Sequence, residues 1–422
     1  MSNQKTASFR AKDYLKITAF GFALTALWQS LHSIILPQRL LDIVPEAQKN
    51  TYLGILTLCG LLLAMITQPF AGSMSDRSHF KWGRRRPYIL VGGIAMLVLI
   101  PGIGLAAGFA AIFIVYCLLQ MASNTAQGPY QAFIPELVPE NRRGVASGVK
   151  ALLEVAGGAV FVFISSYFID RYTSGDGQQC LWIILGILTT VITAALIITL
   201  FTVKEPPIRD LTIQHVPFLT GLRHTFKAAF SNRIMVWFLV SRLLIYMAFT
   251  TIQQFTLYYL ADVVGVANPG KATAQFLVLA IVGMLLITWP AGYLADKVGR
   301  KPVSIVAGLL GAAGISIIVM SNDYGTILWA AGIIGIAMGA FNSANWALAT
   351  DLAEKGEEAR YLGIANIATA GGAALARAIG PAIDFFNARE ALSGYSFMLW
   401  VCMGYFITGV LLMFKIKIKK RA

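Results

Sequence analysis

The chain has 422 residues, of which 57% are hydrophobic and 13% are charged. Soluble domains carry roughly 25% charged residues, so this composition excludes a soluble globular protein. The net charge of +14 does not indicate a nucleic-acid partner, because the basic residues cluster in the segments between long apolar runs, as they do in membrane proteins.

Apolar runs of about 18 to 27 residues recur along the chain, and each can cross a hydrocarbon core of roughly 30 Å. We predict twelve transmembrane helices, at residues 16–37, 51–74, 87–107, 109–132, 144–169, 180–203, 233–261, 272–295, 302–320, 324–350, 360–386 and 394–415. Barrel strands would alternate between apolar and polar residues, so the predicted fold class is an all-α membrane protein. The first run is too long for a signal-peptide core and no small-residue cleavage site follows it, so we expect no cleaved leader.

The basic residues mark one face of the membrane. Most of the 34 lysines and arginines fall on the side that holds the N-terminus, and the opposite side carries only Arg39, Lys49, Arg171, Lys271 and Arg389. Because cytoplasmic loops are enriched in Lys and Arg, both termini are predicted to be cytoplasmic. The expected location is the cytoplasmic membrane, with the lipid bilayer around a multi-pass chain.

A break in the apolar pattern divides the chain in two. Residues 204–232 begin with Lys204-Glu-Pro-Pro-Ile-Arg209-Asp, and a basic amphipathic stretch starts at His215. This pattern predicts a cytoplasmic linker, either a surface connector or a helix lying along the inner leaflet. The predicted domains are an N-terminal six-helix bundle at residues 1–203 and a C-terminal six-helix bundle at residues 233–422.

Matching segments in the two halves indicate an internal repeat. Glu136 and Asp351 each place an acid at the inner end of a fourth helix, and Ala156-Gly-Gly and Ala370-Gly-Gly recur in each fifth helix. A charged turn after each second helix is the strongest match. Its residues are Gly72, Asp76, Gly83 and Arg84 in the first half and Gly292, Asp296, Gly299 and Arg300 in the second.

The charged turn resembles GxxxDxxGRK, the signature of the major facilitator superfamily of membrane transporters. The resemblance implies that superfamily's fold, with parallel halves and a substrate site near the membrane midplane. The Gly and Asp of each copy share one helix face, so the Gly can admit a neighbouring helix. We expect Asp76 with Arg84, and Asp296 with Arg300, to tie helix ends together as a cytoplasmic gate. Simple helix capping is the alternative.

Polar side chains inside the predicted helices indicate a cavity or a helix contact, because lipid offers them no hydrogen bonds. Helix four carries the amides Gln120, Asn124, Gln127 and Gln131 on one face. The other substrate-site candidates lie in helices one, seven and ten: Trp28, Gln29, His32, Arg242, Tyr246, Thr250, Gln253, Gln254, Asn342, Asn345 and Trp346. Amides and aromatic rings suit a sugar or glycoside-like substrate, and they would also suit other neutral polar solutes.

Charged residues deep within predicted helices are costly, at about 2.5–3.5 kcal/mol each. Lys150 and Glu154 lie four apart in helix five and can form a local ion pair. Alternatively, Glu154 is a proton carrier whose charge responds to a nearby cation such as Arg377. Arg242 and Arg377 are also substrate-site candidates, and they could instead bind a carboxylate, which would shift the substrate to uronic or other organic acids.

Three segments resemble the sucrose-transporter and glycoside–cation symporter branch of the superfamily. They are Trp28 to Pro37, Gly83-Arg84-Arg85-Arg86-Pro87-Tyr88 and Asn124-Thr125-Ala126-Gln127-Gly128-Pro129. Two positions depart from that family, which carries an aspartate where this chain has Gln120 and an arginine where it has Gln131. Glutamine cannot exchange a proton, so the family's proton-coupling role does not transfer to Gln120. No acid lies between Thr51 and Ala71, which disfavours the sodium site of the glycoside symporters.

The sequence carries no GxxxxGK[ST] phosphate loop, HExxH motif or nucleophile elbow, which argues against ATP-driven transport and against an enzyme. Dispersed histidines and isolated cysteines predict no metal and no cofactor. We therefore predict a monomeric secondary transporter of sugars that works by alternating access with proton symport. The alternatives are an ion-independent facilitator, motivated by Gln120 and Gln131, an exporter of another organic solute, and a non-transporting membrane sensor.

Overall fold

The computed structural model describes residues 11–78, 80, 82–173, 177–203, 205, 232–353 and 358–416. Every regular element in these ranges is helical. The predicted linker at residues 204–232 lies outside the described residues, except for Glu205 and Asn232.

Twelve helices in the described part of the chain are long and apolar enough to cross a membrane. In chain order they are α1 (Lys12–Leu41), α2 (Glu46–Asp76), α3 (Arg86–Leu105), α4 (Phe109–Leu137), α5 (Glu140–Thr173), α6 (Gln178–Thr202), α7 (Arg233–Val264), α8 (Pro269–Val298), α9 (Arg300–Met320), α10 (Tyr324–Leu352), α11 (Tyr361–Arg389) and α12 (Ser393–Phe414). The all-α fold with twelve membrane helices is confirmed. Several helices, α1 and α5 most clearly, extend past their predicted ends, because helical hydrogen bonding can continue where the apolar pattern stops.

The contacts divide the chain into two compact units. The first unit contains Met1–Gln38 and Cys59–Asp210, and the second contains Arg39–Leu58 and Leu211–Ala422. The division differs from the predicted domains because the end of α1 and the start of α2 pack with the C-terminal helices.

A buried aspartate in α11 explains why the start of α2 belongs to the second unit. Asp384 accepts hydrogen bonds from the backbone N–H of Thr51 at 2.6 Å and from the side-chain amide of Asn50 at 2.8 Å. A methyl group at Gly380 would overlap the carbonyl of Asn50, so the two backbones touch at this point. The first turn of α2 is therefore tied to α11 by both hydrogen bonding and close packing.

A second aspartate, at the end of α7, extends these contacts. Asp262 pairs with Lys49 of α2 at 2.7 Å and accepts the hydroxyl hydrogen of Tyr395 of α12 at 2.5 Å. Lys49 is only 5% exposed, so Asp262 compensates a buried positive charge. Together, the two aspartates join α2, α7, α11 and α12 at one end of the second unit.

Small residues let the helices of each unit pack closely. Methyl groups at Gly335 and Gly339 of α10 would overlap the backbone of α8. The predicted repeat also appears in the packing, because Gly158 of α5 lies against α1 and Gly372 of α11 lies against α7. Helices without a hydrophobic drive to associate gain contact area from such small residues.

We expect Asp384→Ala to destabilise the protein by about 2–4 kcal/mol, because Asn50 and the Thr51 N–H would lose their buried acceptor. Thermal unfolding of the purified protein in detergent measures this loss. Glu390→Ala is the matched control, since Glu390 is exposed near the end of the same helix and should shift stability by no more than about 0.5 kcal/mol. Equal melting temperatures for the two variants would contradict the role given to Asp384.

Candidate functional site

An aromatic–amide cluster joins α1 to α4 in the first unit. The hydroxyl of Tyr116 lies 2.8 Å from Nε2 of His32 and accepts from the side-chain amide of Gln120 at 2.9 Å. Trp28 donates its indole N–H to the hydroxyl of Ser123 at 2.9 Å. The rings of Trp28 and His32 stack with 5.1 Å between their centroids. The cluster therefore places flat rings beside amide and hydroxyl groups, the combination that suits a sugar.

The amide stripe of α4 changes its exposure along the helix. Gln120 and Asn124 are buried, and Asn124 donates to the backbone carbonyl of Gln120 at 2.8 Å. Gln127 is half-buried and Gln131 is exposed at the end of its helical segment. Gln29 of α1 is half-buried and packs against α5 at a glycine. The predicted residues Gln120 and Asn124 thus lie in the aromatic–amide cluster, whereas Gln29 faces a different helix.

A buried arginine organises the polar residues of α7, α10 and α11 in the second unit. Arg242 is 0% exposed. It donates from Nη1 to the side-chain carbonyl of Asn345, and from Nε to the hydroxyl of Thr369 at 2.8 Å. The guanidinium carbon lies 4.3 Å from the ring centroid of Trp346 and 5.1 Å from that of Tyr246. We call these five residues the arginine cluster.

The other predicted substrate-site residues of the second unit lie at the edge of the arginine cluster or outside it. Tyr246 donates its hydroxyl hydrogen to Asn342, which adds that amide to the edge of the arginine cluster. On α7, Gln253 is half-buried and Gln254 is buried. Arg377 donates to a carbonyl one turn earlier in its own helix, and none of the described contacts of the arginine cluster involves it.

Glu154 lies in a small polar group where α1, α4 and α5 meet. Its carboxylate is 3.5 Å from Nζ of Lys150, and its side chain is 30% exposed. The ammonium group of Lys150 also lies over the ring of Tyr130, 5.5 Å from the centroid. A methyl group at Gly21 of α1 would overlap both the Glu154 carboxylate and the Tyr130 hydroxyl. The ion pair predicted from the spacing of Lys150 and Glu154 is present.

In the first charged turn, one arginine contacts two carboxylates. Arg85 pairs with Asp76 at the end of α2 and with Glu136 near the end of α4. Arg84 pairs with Glu136 at 2.6 Å. The partner of Asp76 is therefore Arg85 in place of the predicted Arg84, because the side chain of Arg85 is buried beside α2 whereas that of Arg84 is 25% exposed.

Two opposing effects set the pKa of Arg85. Burial by itself would lower the pKa, but the hydrogen bonds and negative charges of Glu136 and Asp76 outweigh it and raise the pKa above its ordinary value. Arg85 therefore keeps its charge in the folded protein.

Glu205, just after α6, satisfies the start of α3. Its carboxylate accepts the backbone N–H groups of Arg84 at 2.7 Å, Arg85 at 3.0 Å and Arg86 at 2.9 Å. The first N–H groups of a helix lack acceptors within the helix and carry a partial positive charge, so a carboxylate is stabilising there. This contact joins the end of α6 to the charged turn.

The second charged turn uses a single arginine. Arg300, the first residue of α9, pairs with Asp351 of α10 at 2.6 Å and also donates to a carbonyl of α10. Asp296 lies 3.7 Å from Arg300, and its side chain is 70% exposed. The expected approach of Asp296 to Arg300 is present, but Asp351, the counterpart of Glu136 in the repeat, makes the closer contact.

The four glycines of the charged turns differ in their surroundings. Gly83 and Gly299 precede α3 and α9 with φ of +119° and +109°, a region that other residues rarely adopt. The Cβ position of Gly292 lies 2.8 Å from the hydroxyl of Ser343 in α10, so a methyl group there would require that hydroxyl to move. Gly72 has no described atom within 4 Å of its own Cβ position, but α4 approaches its backbone, because the Cβ position of Gly128 lies 3.1 Å from the Gly72 nitrogen. That approach of α4 to α2 occurs at Gly128, where a methyl group would overlap the α2 backbone.

Three residues of these clusters, Tyr116, Ser123 and Thr369, are not among the predicted ones. Tyr116 lies four residues before Gln120, so the amide stripe extended by one turn would have included it. Ser123 and Thr369 give no such signal, because hydroxyls in membrane helices commonly bond to carbonyls of their own helix. Thr369 does so as well, donating to Ala365 at 3.2 Å.

Solved structures of membrane transporters share this fold. The chain superposes on the nucleoside transporter NupG with a TM-score of 0.77 and 13% identity, covering 96% of this chain and 98% of that one. A D-xylose–proton symporter gives a TM-score of 0.72 and 15% identity, with the same two coverages. The fold is therefore the one that these transporters share.

The family described as "MFS/sugar transport protein" matches residues 20–386. The chain belongs to this family, whose members are membrane transporters and not enzymes. The resemblance seen in the charged turns and in the sucrose-transporter segments is confirmed.

Named relatives match shorter stretches of the chain. The sucrose transport protein SUC3 of Arabidopsis thaliana is 33% identical over 125 residues, which cover 24% of this chain and 21% of that protein. The sucrose transport protein SUT1 of Oryza sativa subsp. japonica is 34% identical over 114 residues, covering 22% and 21%. The minor myo-inositol transporter IolF of Bacillus subtilis (strain 168) is 39% identical over 94 residues, covering 22% and 20%. The match thus spans about a fifth of the length of each relative.

We expect Glu136→Gln to lower the free energy of unfolding by about 1–2 kcal/mol, because the buried guanidinium of Arg85 would keep only Asp76 as a charged partner. Thermal unfolding in detergent checks this value. Asp296→Asn serves as the control, since that carboxylate is 70% exposed and 3.7 Å from its arginine, and it should change stability by less than about 0.5 kcal/mol. A larger loss in the control than in Glu136→Gln would refute the central role of Arg85.

Proposed function

We propose that this protein carries a sugar or glycoside-like polar solute across the cytoplasmic membrane by alternating access, as a monomer and with a proton as the coupling ion. The observation that carries the proposal is the aromatic–amide cluster, in which stacked rings lie beside amide and hydroxyl groups within a membrane-spanning unit. Relatives named for sucrose and myo-inositol support a polyhydroxylated solute.

Glu154 is the proposed proton carrier. It lies within a membrane helix and its side chain is 30% exposed, which suits a carboxyl group that takes up and releases a proton. When Glu154 takes up a proton it loses its charge attraction to Lys150, whose ammonium group still has the ring of Tyr130 at 5.5 Å. The positions Gln120 and Gln131, which carry charged residues in the sucrose transporters, cannot titrate in this chain.

An ion-independent facilitator is the main competing function, because the two glutamines remove the family's coupling charges. In that case Glu154 would serve only as the structural partner of Lys150. An exporter of another organic solute is a further alternative, and it fits less well where that solute is apolar, since its cavity would not need the amide groups of α4. A sensor that binds the solute without moving it would show binding and no transport.

We expect Glu154→Gln to abolish solute accumulation while leaving exchange between equal internal and external pools. For one proton per solute, an inward gradient of one pH unit supports about tenfold accumulation by the wild type, and the variant should stay near onefold. Uptake of labelled disaccharides and glycosides into proteoliposomes, with and without the gradient, measures both values. Glu140→Gln, on an exposed carboxylate in the same helix, should behave as wild type.

Accumulation that survives in Glu154→Gln would exclude this residue as the carrier. If the internal solute concentration only equals the external one in both proteins, with and without the pH gradient, the protein is the ion-independent facilitator. As a second probe, Gly21→Ala should reduce accumulation, because the added methyl would displace the Glu154 carboxylate and the Tyr130 hydroxyl. Gly186→Ala is its control, since no described atom lies within 4 Å of that Cβ position.

The two arginine-centred turns are the proposed cytoplasmic ties of the alternating-access cycle. We expect Asp76→Asn to shift the equilibrium between inward-open and outward-open states, because Arg85 would lose one of its two carboxylates. Labelling rates of single cysteines placed on the two faces of a cysteine-free protein report that shift. Unchanged rates on both faces would leave the first turn with only a capping role.

A further inference from the structure

The first charged turn contains an insert that the proposed function does not use. The insert runs from Ser78 to Trp82, between Arg77 and the next glycine, whereas the second copy has only Val298 at this place. Phe80 and Trp82 of the insert are 51% and 44% exposed, just beyond the end of α2. Aromatic side chains at the end of a membrane span commonly lie at the level of the lipid headgroups. The insert therefore adds two rings where lipid headgroups are expected.

Phe80 also closes one side of an apolar groove between α2 and α3. The groove has a volume of about 330 Å³, within the range of small-ligand sites, about 300–1,000 Å³. Phe70 and Met74 of α2 line one wall, Tyr88 and Val91 of α3 line the other, and Thr125 of α4 contributes to the lining. Phe70 and Val91 lie within membrane spans and are 58% and 63% exposed, so the groove is open to the surroundings of the chain.

Hydroxyl groups at the groove are already engaged within the protein. Thr125 donates to a carbonyl of its own helix at 2.8 Å. The hydroxyls of Ser78 and Tyr88 lie 2.7 Å apart and form a hydrogen bond that joins the two walls. The rings of Phe80 and Tyr88 lie 6.5 Å apart between centroids. With these hydroxyls engaged, the groove presents mainly carbon, which suits an alkyl chain better than a sugar.

A positive charge without an ion pair lies at the same end of α2. The backbone N–H of Arg77 donates to the carbonyl of Met74 at 3.2 Å, so this turn continues the helix. Arg77 follows Met74 by three residues and Phe70 by seven, which places it on their side of α2. It is exposed, and no carboxylate among the described residues lies within the 4.0 Å limit of an ion pair. Arg85 of the same turn, by contrast, contacts two carboxylates.

Arg86, the first residue of α3, adds a second unpaired cation. No carboxylate in the described part of the chain lies within ion-pair distance of it, and its Nε finds no acceptor there. The next residue, Pro87, lines the groove. Arg77 and Arg86 therefore make the potential positive where the apolar groove ends.

We infer that this groove binds an anionic glycerophospholipid, with one acyl chain between α2 and α3 and the phosphate against Arg77. A cation beside an apolar groove matches a molecule that has both a negative headgroup and an alkyl tail. A zwitterionic lipid would match the groove alone, and free phosphate would match the cation alone. The inference goes beyond the proposed transport function and does not depend on which solute the protein carries.

Two lipids with the same tails test this inference on the wild type. Dioleoyl phosphatidylglycerol carries a net negative charge and dioleoyl phosphatidylcholine carries none. Native mass spectrometry of the purified full-length protein, titrated with each lipid in detergent, counts the bound lipids and gives their Kd values. We expect one tight phosphatidylglycerol per chain, bound about 5- to 30-fold more tightly than phosphatidylcholine, because each cation near an anionic headgroup contributes about fivefold.

A charge variant and its repeat-related control test the headgroup contact. Arg77→Gln should reduce the preference for phosphatidylglycerol by about fivefold, because one cation is lost. Lys297→Gln removes the same charge from the equivalent position of the second copy, where the ammonium group lies over the ring of Tyr293 at 4.5 Å. This control should keep the wild-type preference.

A second pair of variants tests the position of the acyl chain. Val91→Trp should remove the tight site for both lipids, because the indole would fill the groove. Val98→Trp is the matched control, since Val98 lies seven residues further along the same side of α3 and is 72% exposed, but does not line the groove. It should bind both lipids as the wild type does.

Each failure has a distinct meaning. Equal affinity of the wild type for the two lipids would overturn the inference, as would tight binding retained in Val91→Trp. An equal loss of preference in Arg77→Gln and Lys297→Gln would show diffuse attraction to a basic surface in place of a site. Displacement of the lipid by inorganic phosphate alone would reject the role of the acyl chain. If Arg77→Gln fails to fold, the wild-type, Val91→Trp and Val98→Trp measurements still decide.

Discussion

Hydrocarbon offers no hydrogen bonds, and the whole arrangement of this protein follows from that constraint. Each polar group within a membrane span must find its partner in the chain. The simplest solution is local, as in Thr57, Thr250 and Ser304, whose hydroxyls donate to carbonyls of their own helix. Longer side chains reach neighbouring helices, so Tyr116 connects α1 with α4. The polar contacts therefore specify which helices lie side by side, while small residues determine how closely they approach.

The charged turns apply the same constraint at the ends of the spans. Arg85 and Arg300 each contact an acid from the preceding helix and an acid near the end of the fourth helix of their half. The two copies of the charged turn differ in the charged residues that pair with each other. The first copy has a longer loop and an additional arginine, so its two cations share Glu136, and Glu205 caps the start of α3. In the second copy, Arg300 makes one close carboxylate contact, with Asp351.

Two buried polar groups of the second unit show opposite outcomes of this constraint. Where α2 meets α11 and α12, Asp262 and Asp384 receive hydrogen bonds from four different residues, so both buried carboxylates have donors. At Arg242, the charge and one donor remain unmatched among the described residues. Burial of such a cation without a charged partner costs several kcal/mol, which other contacts of the second unit must offset.

The run lengths and the placement of basic residues were enough to predict twelve helices, because span length depends only on local apolarity and on the thickness of the bilayer. The charged turns likewise indicated the family, because their spacing lies within one short segment. Other features required the tertiary structure: the pairing of Asp76 with Arg85, the position of Arg39–Leu58 in the second unit, and the contacts of Thr369 with Arg242. Each of these depends on the direction in which a side chain leaves its helix and on which distant helix it meets. Local patterns do not encode such contacts, since they arise from packing between residues far apart in the chain.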